Sequence, residues 1–183
     1  SSGLKGKLEQ VDRRDGKLAL AHIYVAFIAL LLGGIAGLLQ VLVRSGQFEL
    51  PSFLNYYQVL TVHGVLLGLV LTTFFIMGFQ AAGVSRVCGT FTEKQRQIGW
   101  IGFWLSTVGL VLAAAMVLTN KASVLYTFYA PLQAHWVFYL GLALVIVGSW
   151  VSSLAQAMKF NEWRRANKGQ ATPLLAFMAI VNN

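Results

Sequence analysis

Charged side chains are absent from long stretches of this chain. None lies between Ala19 and Val43, Leu50 and Ser85, Gln97 and Asn120, or Ala122 and Met158. Each stretch exceeds the roughly 18 to 20 apolar residues needed to cross a hydrocarbon core of about 30 Å. Backbone polar groups in lipid must be satisfied within the protein, and no ten-residue alternation of the barrel type is present, so the stretches are read as helices. The pattern predicts four complete spans, 19–43, 59–84, 98–118 and 135–158, with a fifth segment over 173–183. In that last segment Thr172 fits an N-cap and Pro173 the first helical turn. It is about ten residues long, too short to span, which leads to two expectations. Either the polypeptide continues beyond residue 183, or the segment is a half-helix packed on a partner. The first span is too long for a signal-peptide core and has no typical cleavage site after it, so it is expected to remain as a helix.

Composition strengthens this reading. Of the 183 residues 57% are hydrophobic and only 11% charged, against roughly 25% charged in a soluble domain. The expected fold is an all-α polytopic bundle, with residues 1–18 as an N-terminal segment and 19–183 as the membrane part. Twelve of the fourteen Lys and Arg residues fall in the N-terminal segment and in the loops around 85–97 and 159–171; Arg44 and Lys121 alone lie on the other side. Cytoplasmic loops carry the basic excess, which places the N-terminus in the cytoplasm of a cell with a multi-pass plasma-membrane protein, the bilayer being its first partner. The net charge of +8 is spread over short loops and not along one polar face, which argues against nucleic acid. Cys88 is the sole cysteine, so neither an intrachain disulfide nor a zinc spacing is available.

The six carboxylates, Glu9, Asp12, Asp15, Glu49, Glu93 and Glu162, all lie outside the predicted spans. That argues against a carboxylate-driven transporter within these helices. His22 and His135 sit at span entries and are read as interfacial. Phe48, Phe53, Tyr56, Tyr57, Tyr126, Phe128, Tyr129 and Trp136 crowd the outward loops, and an aromatic belt accounts for them. Glycines such as Gly33, Gly34, Gly37, Gly99, Gly102 and Gly109 fit close helix packing. His63 differs from the other histidines, because it lies within the second span with no charged residue from Leu50 to Ser85 to pair with. A neutral imidazole in lipid needs a partner for each nitrogen. A haem iron satisfies one and Thr61 or backbone the other, while a hydrogen-bonded core histidine is the alternative. Gly64 and Gly68 leave room beside it for a macrocycle edge or a neighbouring helix.

The stretch Tyr56-Tyr57-Gln58-Val59-Leu60-Thr61-Val62-His63-Gly64-Val65-Leu66 resembles the second helix of subunit I of haem-copper terminal oxidases. Ala122-Ser123-Val124-Leu125-Tyr126-Thr127-Phe128-Tyr129-Ala130-Pro131-Leu132, continuing through His135-Trp136 to Gly141, resembles the loop and fourth helix of the B-type branch known from thermophilic bacteria. Trp163-Arg164-Arg165 with Thr172-Pro173-Leu174 is similar to the approach to that family's fifth helix. The loop from Arg86 to Arg96 lacks the Asn/Asp pattern of A-type oxidases, in keeping with the B-type. Where the family often has Pro-Pro, this chain has Ala130-Pro131.

The resemblance covers about the first third of such a subunit and implies a proton-translocating respiratory enzyme that reduces O2 to water with electrons from cytochrome c. It implies His63 as an axial ligand of a low-spin haem, b type, with Tyr126 and Tyr129 near the haem pocket and the oxygen route. The second ligand of that haem, the high-spin haem, the copper and the catalytic centre belong to the remainder of subunit I. Subunit II and small membrane subunits are implied partners. Nitric oxide reductase, quinol oxidase and a cofactor-free four-helix scaffold are the alternatives.

Overall fold

The computed structural model describes residues 11–123 and 133–181. Those residues form four long helices, each apolar enough to cross a membrane, and one short C-terminal helix. The first is α1 (Arg13–Arg44). The second span is a continuous rod made of α2 (Tyr56–Val65), a π-helical segment (Leu66–Leu71) and α3 (Thr72–Cys88). α4 (Glu93–Leu118), α5 (Trp136–Ala166) and α6 (Leu174–Val181) follow.

Each long helix runs past its predicted span at one end or both, because capping and not hydrophobicity decides where hydrogen bonding starts. Asp12 caps α1 by accepting from the Arg14 amide at 2.8 Å, and this bond holds the Asp12 carboxyl below its ordinary range. Asn55 with Gln58, and Thr92 with Gln95, form capping boxes that open α2 and α4. His135 caps α5, its Nδ1 accepting from the Val137 amide. Gly89, at φ 90°, ends α3 in a backbone region that side chains resist. In α6 the Phe177 amide donates to the Pro173 carbonyl, so the proline stands just before the first helical residue.

Lipid tails are as apolar as leucine, so close packing has to hold the bundle together. α4 and α5 meet along Gly102, Ser106 and Gly109 on one side and Gly141, Gly148 and Ser152 on the other. A side chain at these glycines would strike the opposing backbone. Phe74, Phe103 and Phe138 fill the main core with Val65, Val70 and Val145. A second cluster, including Val84, Cys88, Phe160, Ala176 and Ala179, seats α6 against α3 and α5.

The helix ends bearing most of the described basic residues come together, and two expectations about that end need correction. Asp15, placed outside the spans by its charge, is the third residue of α1 and is fully buried. Its carboxylate accepts from Ser85 Oγ at 2.6 Å, the Phe91 amide at 2.9 Å and Arg96 Nε at 2.9 Å. Arg96 also pairs with Glu93 and donates to the Phe91 carbonyl. Buried charges persist only when fully partnered, and here α1, α3 and α4 supply the partners. His22 is likewise not interfacial. It packs between Phe74 and Phe103 and is 3% exposed, its Nδ1 donating to the Leu18 carbonyl at 2.9 Å. His135 does stay at the surface, as do Phe53, Tyr57 and Trp136 of the aromatic set.

Candidate functional site

His63 stands seven residues, about two turns, inside the start of α2. The depth of that helix is set by side-chain ties at its first turn. Gln58 is 1% exposed, accepts from the Asn55 amide, and donates through Nε2 to the Val117 carbonyl of α4 at 2.8 Å. Asn55 Nδ2 donates to Asn120 Oδ1 at 2.7 Å, and Gln40 of α1 reaches the Val59 carbonyl at 3.3 Å. The α2 start is thus fixed to both of its neighbours.

The His63 ring is half-buried and lies against α1. Its Nδ1 pairs with the Gly33 carbonyl at 2.8 Å. A carbonyl only accepts, so Nδ1 carries the hydrogen and Nε2 keeps its lone pair. No residue in the described chain bonds to Nε2. Gly37 makes room for the ring: a Cβ there would stand 2.7 Å from His63 Cε1 and 2.8 Å from Nδ1. Gly33 in turn lies under Leu66 and Leu67 of the π segment, so both glycines that admit this face of the second span belong to α1. The Thr61 hydroxyl donates to the Tyr57 carbonyl at 2.7 Å, leaving the backbone of α1 as the partner of the ring. Gly64 and Gly68, the glycines next to His63 in sequence, are half-buried and exposed respectively.

One coordinating nitrogen, with the ring oriented by a carbonyl on the other, is the arrangement an axial haem ligand requires. The residues therefore fit the group. Among the described residues no three His, Cys, Asp or Glu side chains gather to hold a bare metal ion. An apolar cleft of about 390 Å³ opens between α1, α2 and α4, lined by Ala36, Leu39, Val59, Val62, Leu66 and Leu110 among others. His63 is not part of it.

The structure does not bring the histidines together. His22 precedes Gly37 by fifteen residues on α1, about 22 Å along the axis. Tyr126 and Tyr129 lie outside the described residues. The Gly33 carbonyl, Gly37 and the Asp15–Arg96 pair were not singled out as partners by the sequence; Gly33 and Gly37 carried only a packing role, and a backbone carbonyl leaves no mark in a sequence.

The family model described as cytochrome c and quinol oxidase polypeptide I matches residues 17–183. Cytochrome c oxidase subunit 1 of Thermus thermophilus is 36% identical over 175 residues, 91% of this chain and 31% of that protein. A solved haem-copper terminal oxidase dimer superposes with a TM-score of 0.85 at 38% identity, over 94% of this chain and 30% of its own. The chain thus spans about a third of the length of the relatives it matches. It belongs to the family of haem-copper oxidase subunit I.

Proposed function

We propose that this chain forms part of the catalytic subunit of a respiratory terminal oxidase, in which His63 Nε2 is one axial ligand of the low-spin haem. The observation that carries the reading is the His63 ring itself, held through Nδ1 by the Gly33 carbonyl and cradled by Gly37, with Nε2 unpaired in the described chain. The haem, b type in this reading, supplies one-electron transfer when bound. The chain's own residues do the rest. Gly33 fixes the tautomer, Gly37 admits the ring, and Gln58 with Asn55 sets the depth of the helix. An apolar helical surround keeps water from the site.

In the whole enzyme, cytochrome c delivers electrons from the outer side and O2 is reduced to water with proton translocation. The high-spin haem, the copper and the second low-spin ligand come from the remainder of subunit I; subunit II and small membrane subunits complete the assembly. Tyr126 and Tyr129 belong to the same reading as residues near the haem pocket and the oxygen route. In the purified complex, His63→Ala abolishes the low-spin haem band in a reduced-minus-oxidised spectrum; a retained band overturns the assignment. The family description also names quinol oxidases, and turnover with quinol but not cytochrome c would assign the donor that way. Non-haem iron in place of copper would make the enzyme a nitric oxide reductase.

A further inference from the structure

Where α1, α3, α4 and α5 converge near the basic end, a small internal void of about 10 Å³ is lined by His22, Gln95, Gly99, Ser152 and Gln156, with apolar residues around them. That volume admits the centre of one water-sized sphere and no more. Two of the lining residues carry a buried side-chain atom without a hydrogen-bond partner among the described residues, Ser152 Oγ and Gln156 Oε1. The residues are 4% and 2% exposed. Native interiors rarely leave such atoms dry, because each has given up its solvation for nothing.

The other polar groups on the void narrow what can fill it. Gln95 is already used, its Nε2 donating to Glu162 at 2.8 Å and its Oε1 accepting from the Thr92 amide at 2.9 Å. His22 spends Nδ1 on the Leu18 carbonyl, which leaves Nε2 as the acceptor of a neutral ring. No carboxylate lines the void, so nothing there compensates a cation. We propose that this void is a binding site for a single structural water. The water donates to Gln156 Oε1 and shares a hydrogen bond with Ser152 Oγ, and His22 Nε2 is its third partner. Three hydrogen bonds are the usual complement of a buried water. Through it α1 and α5 are joined at the level of His22.

A density map of the complete oxidase at a resolution that shows ordered water tests the site directly. One isolated peak within 3.5 Å of both Ser152 Oγ and Gln156 Oε1 is expected. An empty void, or a side chain from elsewhere in the complex occupying it, overturns the proposal. Ser152→Ala in the complete oxidase gives a second, independent reading. With the water present the substitution removes one of its partners, and the melting temperature falls while the peak weakens. A dry void predicts the reverse, because the substitution then removes an unpaired hydroxyl; an unchanged or raised melting temperature overturns the proposal.

Discussion

Gly37 and Gly34 lie three residues apart on α1 and make opposite demands. A methyl group at Gly37 would meet the His63 ring at 2.7 Å, whereas nothing lies within 4 Å of one at Gly34. Gly37→Ala is therefore expected to displace the ring and break its bond to the Gly33 carbonyl. The visible band of the low-spin haem should shift or weaken, with expression of the subunit unchanged. Gly34→Ala should leave the spectrum as it was, and a shift in that variant would count against the cradle. At the opposite end of the bundle, Asp15→Ala leaves Arg96 buried with only Glu93 as a charged partner. Breaking a buried pair costs roughly 3 to 5 kcal/mol, and retention of Glu93 puts the expected loss near the lower value. Asp15→Asn, which keeps an acceptor for Ser85 and the Phe91 amide, should lose less; thermal unfolding of the two variants measures the difference.

Among the elements, the closest approach is that of α4 to α5, where the glycines of each helix face the backbone of the other. Gly148→Val wedges a branched side chain against Ser106 and the Gly102 carbonyl. Separation of the two helices is the expected result, seen as a lower yield of folded complex, while Gly16→Ala, in open space, is tolerated. The four long elements were legible in the sequence because absence of charge marks hydrocarbon depth. Their ends were legible only in part: α4 stops at Leu118 as expected and α5 starts at Trp136, one residue late, but α1, the second span and α4 all begin earlier than the apolar pattern suggests, where Asp12, Asn55 and Thr92 cap them. Of the candidate site, His63 was legible from its isolation within an uncharged stretch. The burial of His22 was not, because Phe74 and Phe103 reach it from other helices. Asp15 was hidden for the same reason, its charge partner lying 81 residues away.

For the whole molecule, the basic helix ends gather at one face of the bundle, where Asp15 pairs with Arg96 and Glu162 with Lys159 and Gln95. On the positive-inside bias that face is expected in the cytoplasm. In a background lacking the buried Cys88, a cysteine placed at Gln47 should react with a membrane-impermeant thiol reagent on intact cells. One placed at Lys94 should react only after permeabilisation, and the reverse pattern would invert the orientation. The π segment bears on how the two faces of the membrane are connected. Ahead of it the second span buries Gln58, Thr61 and Val65, within it Val70, and after it Phe74, Met77, Ala81 and Val84, among others. The step from Val65 to Val70 is five residues, one more than the longest step on either side. One residue is about 100° of helical azimuth, so the segment acts as a phase shifter. It lets a single rod aim His63 at α1 at one end and Phe74 into the core at the other. Shortening the rod by one residue within Leu66–Leu71 would leave the composition of the span nearly untouched and still put its two halves out of step.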